Sequence, residues 1–222
     1  MAPEVTAAAA IRSKIRPIGP ALRRPAFGGP DAGDSAREQP FISSASLAIL
    51  MLIASELMLF SGLIGSFLVY RLSAPFWPPP GLPRLPIQIT WANTCVLLAS
   101  AVTMNLAVRA VHRDQRRLLR RWLGVTVVLG MTFLEVQGSE WVRLISHGLR
   151  LSSGAYGGTF YTLIGCHALH VAAAVSWLAC VFVLAMRGRY NAWNATGVEV
   201  CAMYWYFVCL IWPLLFGLVY LM

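Results

Sequence analysis

Acidic side chains are scarce in this chain. Nine Asp and Glu stand among 222 residues, against eighteen Lys and Arg, and all charged residues together make up 12% of the composition. With 58% hydrophobic residues, so little charge excludes an ordinary soluble domain and points to an integral membrane protein. Histidine is scarcer still, at four residues. The five cysteines (Cys95, Cys166, Cys180, Cys201, Cys209) all lie within apolar stretches and show no paired extracellular spacing, so a disulfide scaffold is excluded. They are expected to be thiols packed as small hydrophobes.

Long apolar runs, by contrast, are plentiful. Residues 1–40 hold no run long enough for a signal peptide and are expected to form a flexible, basic, Pro/Ala/Arg-rich cytoplasmic tail. Residues 41–222 carry five segments, near 43–70, 87–110, 119–144, 156–186 and 196–221, each able to cross a hydrocarbon layer roughly 30 Å thick as a helix. The predicted fold is therefore all-α, a polytopic membrane bundle of five transmembrane helices. The first loop, APFWPPPGLPRLP, contains six prolines, which strip backbone donors and forbid a helix. The second, Arg109 to Arg121, is short and densely basic. Counted by alternating side, fourteen Lys and Arg fall with the tail and the second and fourth loops, and four fall opposite. The positive-inside rule then places the N-terminus in the cytoplasm and the C-terminus outside. That topology, with anionic lipid, accounts for the basic loop without nucleic acid.

Four carboxylates lie inside the spans: Glu56, Glu135, Glu140 and Glu199. An acidic side chain near a helix centre costs on the order of 2.5–3.5 kcal/mol on insertion scales, so Glu56 is either a proton-binding or helix-bridging group or a hydrogen-bonded packing glutamate. Gln137 and Glu140 are three apart near the outer end of the third span, where Glu140 can pair with Arg143. Glu199 follows Thr196 at capping-box spacing. His167 and His170 share one face of an almost uncharged span, expected to lie inside the bundle and to bond across helices; as a metal site the pair would need further ligands. Two axially ligated haems and a copper require about half a dozen imidazoles, so this chain is not expected to house such a centre itself. In the last span Trp205 and Trp212 share a face, Tyr206 adds a hydroxyl tip, and all three are expected to pack the bundle; Pro213 should kink the helix.

Taken in order, ASELMLFSGLIGSF (54–67), WPPPG (77–81), NTCVLLASAVT (93–103), QGSEW (137–141), YGGTFYTLIGCHALHV (156–171) and VEVCAMYWYFVCLIW (198–212) resemble subunit III of the haem-copper cytochrome c oxidases, in its five-helix bacterial form. The resemblance implies an accessory subunit with no haem or copper of its own. Such a subunit packs against the catalytic subunit I and other oxidase subunits in the bacterial inner membrane, binds phospholipid, supports proton uptake, and protects the active site during turnover. It also places Glu56, Glu140, His167, His170 and Glu199 on the family's recurrent polar positions. Together with Gln137 they are expected to form a buried polar network tying the first, third and fourth spans. The chain departs from the family where its last motif usually reads YWHFVD: Tyr206 stands in the histidine place and Cys209 in the aspartate place. Glu135 stands where an apolar residue is expected. Other partners consistent with the sequence are a nitric oxide reductase or, in another class, a role as a small proton or ion transporter.

Overall fold

The computed structural model describes residues 43–77, 79 and 87–221; the expected tail over residues 1–40 and most of the proline-rich loop lie outside them. Five helices long and apolar enough to cross a membrane are present, and no strand occurs among the described residues.

Helix α1 spans Ser44–Ser73 and starts at Ser43, whose side chain accepts the Ser46 N–H. It stops at Ala74, which is extended (φ −84°, ψ 129°) because the proline that follows disfavours helical geometry there. Helix α2 spans Ile87–His112 and α3 spans Arg116–Ser146. The reversal between them turns on Asp114 at φ 51°, while the Gln115 N–H closes back onto the Ala110 carbonyl. Gly148 (φ 92°) and Gly188 (φ 74°) end α3 and α4 the same way, with the next residue's N–H donating to Leu144 and Leu184 respectively. Helix α4 covers Gly154–Met186. Helix α5 covers Thr196–Phe216 and runs into a π-helical turn, Gly217–Leu221, four residues after Pro213. Helix α3 begins three residues before its apolar run does. Hydropathy marks the stretch in hydrocarbon, whereas an arginine-bearing first turn continues the helix into the headgroup layer.

Helices α2, α3, α4 and α5 pack in a closed ring, each against two neighbours, and α1 lies outside the ring against α4 and α5. The sequence periodicity explains the ring. Helix α3 buries one seam from Leu119 to Leu144 at alternating spacings of four and three, the pattern of knobs-into-holes packing. On α2 the buried positions include Thr90, Asn93, Thr94, Leu97, Ser100 and Met104, so this helix turns small polar groups inward. Gly130 lies where α3 meets α4 and α5: a Cβ there would sit 2.7 Å from the Trp205 ring and 2.9 Å from Val175. A residue without a side chain is what lets the indole in.

Candidate functional site

The polar groups buried in the bundle divide into separate contacts. The most informative joins α1 to α4. Phe60, 1% exposed, drives into the bundle and packs edge-on against His170 (5.2 Å between ring centres) and His167 (6.3 Å), and against Phe207 of α5. One helical turn earlier, Glu56 Oε2 lies 2.8 Å from His170 Nε2. The other ring nitrogen, Nδ1, lies 2.7 Å from the Cys166 carbonyl oxygen. A carbonyl cannot donate, so Nδ1 carries the proton of that bond. Nε2 therefore either accepts a proton from a protonated Glu56 or, as imidazolium, donates one to its carboxylate. In both forms a single proton lies between the two atoms and the pair is neutral overall. A pair without net charge suits side chains only 13% and 20% exposed before lipid is considered.

His167 behaves differently from the expectation for a bonded pair. It is 1% exposed, and neither ring nitrogen finds a partner. The imidazole instead stacks on Trp212 (5.1 Å, 26°) and meets Phe60 and Phe133 edge-on, serving as a flat plate in an aromatic cluster. Position i on the α4 face looks toward α5 and position i+3 toward α1, so the two histidines do not converge on one atom. Among the described residues no three His, Cys, Asp or Glu side chains are grouped to hold a metal ion.

The remaining predicted positions are dispersed, so the single network expected from the sequence resolves into local pairs. Glu140 is buried and pairs with Arg143 on its own helix at 3.2 Å, as the spacing suggests. Gln137 donates to the Tyr220 hydroxyl at 3.5 Å, tying α3 to the final turn. Glu199 makes no capping box: the N-cap is Ala195, already near helical geometry (φ −98°, ψ −16°), which puts Thr196 inside the helix. Its carboxylate instead meets His112 Nε2 at 3.1 Å, across from the end of α2 to the start of α5. Tyr206 is half-buried and packs against the margin of the apolar core. The five cysteines are free thiols.

Trp205 and Trp212 do more than pack. Trp205 Nε1 donates to Ser100 Oγ at 3.2 Å and Trp212 Nε1 to Thr94 Oγ1 at 2.9 Å, so their shared face forms a polar zipper with α2. Cys209, between them, points its thiol at the Leu97 carbonyl (3.8 Å). Asn93 Nδ2 donates to the Phe133 carbonyl (3.1 Å), and Thr103 and Thr126 share a 2.8 Å bond, extending the seam to α3. Sequence reasoning assigned no part to Asn93, Thr94, Ser100, Thr103 or Thr126. For the α2 members the signal was available in NTCVLLASAVT, where Asn93 and Ser100 stand seven apart on one helical face and Thr103 follows three residues on. An open groove of about 510 Å³ separates the C-terminal half of α1 from the start of α4, lined by Leu63, Ser66, Tyr70, Gly158 and Thr159.

The family profile described as cytochrome c oxidase subunit III matches residues 37–222. Cytochrome c oxidase subunit 3 of Synechocystis sp. is 31% identical over 175 residues, which are 78% of this chain and 74% of that protein. That of Thermostichus vulcanus is 33% identical over 192 residues, 86% of this chain and 92% of the relative. That of Corynebacterium diphtheriae is 30% identical over 178 residues, 79% and 86%. A match that runs through all five helices, to relatives spanned over most of their length, leads to one conclusion: this chain belongs to the cytochrome c oxidase subunit III family.

Proposed function

We propose that this chain is the redox-silent accessory subunit of a bacterial respiratory haem-copper terminal oxidase, one that reduces oxygen with electrons from cytochrome c and pumps protons. In this reading it is a multi-pass protein of the cytoplasmic membrane, oriented with its basic loops inward. It packs against the catalytic subunit, which holds the haem and copper, and a phospholipid acyl chain occupies the α1–α4 groove. The family match carries the accessory role. The Glu56–His170 pair supports the finer reading: it clamps the outlying helix α1 to the ring and holds one mobile proton at a neutral site. That is the chemistry a proton-uptake auxiliary needs at an interface with an enzyme that consumes protons.

The test compares the oxidase with and without this chain for oxygen consumption over many turnovers. Loss of the chain is expected to leave initial oxygen reduction intact and to shorten the time before turnover-dependent inactivation. Glu56→Gln is expected to shorten that time while leaving the subunit bound. Identical inactivation with and without the chain would overturn the proposal, and nitric oxide as the substrate consumed by the purified complex would replace the oxidase with a reductase.

A further inference from the structure

Helix α3 carries two seams of the same spacing. The first is the buried one. The second is Val128, Thr132, Glu135, Ser139, Val142 and Ser146, again at alternating steps of four and three, and it faces away from the ring. Val128 is 63% and Val142 68% exposed, and Glu135, Ser139 and Ser146 are exposed with them. A seam with that repeat, running for about 27 Å at 1.5 Å per residue, is the pattern by which one helix receives another. Its residues are small, β-branched or polar, unlike the Leu- and Met-rich outer face of α1.

The polar groups of this seam are unevenly satisfied. Thr132 Oγ1 donates to the Val128 carbonyl at 2.9 Å, and Ser139 Oγ donates to the Val136 carbonyl at 2.8 Å. Both hydroxyl protons are thus committed within the helix, leaving lone pairs outward. Glu135, between them, has no hydrogen bond or ion pair with any described residue. It lies within the apolar run of a helix long and apolar enough to cross a membrane, nineteen residues into a span of 31, and a span of that kind carries such a residue within the hydrocarbon layer. The surface is therefore rich in acceptors and poor in donors at a depth where water cannot supply any. A lipid tail leaves it unsatisfied; a helix bearing donors does not.

We propose that this outward seam of α3 is a transmembrane docking surface for a helix of another oxidase subunit that brings an Arg, Lys, Asn or Gln side chain to the depth of Glu135. The identity of the partner as an oxidase subunit rests on the functional reading above; the donor chemistry rests on Glu135, Thr132 and Ser139.

The experiment places a photo-crosslinking amino acid at Val128 and, separately, at Val142 in the full chain within its native membrane, and identifies the adducts by mass spectrometry. The expected result is that both positions capture the same helix of another subunit, in register, with a donor side chain between the two points of capture. Adducts to lipid alone, to a second copy of this chain, or to a helix without such a donor would overturn the proposal. In parallel, Glu135→Gln is expected to hold co-purification of the complex within about twofold, and Glu135→Leu to lower it at least tenfold with unchanged membrane levels of the chain. Undiminished co-purification of Glu135→Leu would also overturn it. The cross-linking uses the native Glu135, so it decides the matter even where the leucine variant fails to accumulate. A captured helix in a preparation devoid of haem would overturn the oxidase reading and keep the seam as an interface.

Discussion

Replacing Glu56 and His170 by alanine, singly and together, separates a coupled pair from two independent packing residues. Three features set the size of the effect. The 2.8 Å contact has short, charge-assisted geometry, the pair is mostly shielded, and the Cys166 carbonyl fixes the imidazole so that Nε2 faces Glu56. Glu56→Ala leaves Nε2 unpaired beneath Phe60, and an unsatisfied buried group costs about 1–3 kcal/mol. His170→Ala strands a carboxyl group and also removes the ring that Phe60 packs on, so it should cost more. Interhelical hydrogen bonds in membranes average about 0.6 kcal/mol and reach about 1.7. The short distance and fixed tautomer place this pair at the upper end, with a coupling energy of about 1–2 kcal/mol. The assay is unfolding in graded detergent mixtures, followed by tryptophan fluorescence. Glu56→Gln sharpens it, because a carboxamide N–H can donate to Nε2 but cannot exchange the shared proton. Stability should stay within about 0.5 kcal/mol of the native chain while the infrared carboxyl signal of Glu56 disappears. Single and double variants additive within about 0.3 kcal/mol would refute the coupling.

Three further outcomes follow from the packing. Gly130→Ala should lose about 1–3 kcal/mol by forcing a methyl group into the Trp205 ring, whereas Gly62→Ala, with nothing within 4 Å of its Cβ position, should change stability by under about 0.5 kcal/mol; the same detergent titration compares them. Trp212→Phe should cost at least about 0.5–1.5 kcal/mol for the bond to Thr94, and adding Thr94→Val should recover part of that loss because no acceptor is left unpaired. Glu199→Gln should cost less than about 1 kcal/mol, and less again at high salt, because its partner His112 is half exposed; a larger or salt-independent loss would contradict the surface-pair description.

The five helices were legible because length and apolarity are one-dimensional properties: a run from Gly154 to Met186 needs no partner to be recognised as a span. The Glu56–His170 contact was half legible. The cost of each group in an apolar span pointed inward, but which residue meets another 114 positions away is set by how helices pack. Glu199 shows where local reasoning fails. Its spacing from Thr196 fits a cap, yet the cap position is Ala195, and the residue that engages Glu199, His112, belongs to another helix end. His167 was expected to bond because polar groups in hydrocarbon need partners; its ring is absorbed by Trp212, Phe60 and Phe133 as an aromatic surface, an arrangement visible only once four helices are in place. The α2 zipper was overlooked because threonine and serine in an apolar run carry no charge to draw notice.

The central claim is that this chain flanks a redox centre and holds none. The direct measurement is to purify the complex through a tag on this chain, quantify haem and copper, dissociate the subunits in detergent, and quantify both again in each fraction. The expected result is a haem- and copper-bearing complex whose metals all travel with other subunits once the chain is released. A released chain that retains stoichiometric haem or copper, or a tagged preparation that carries neither from the outset, would contradict it.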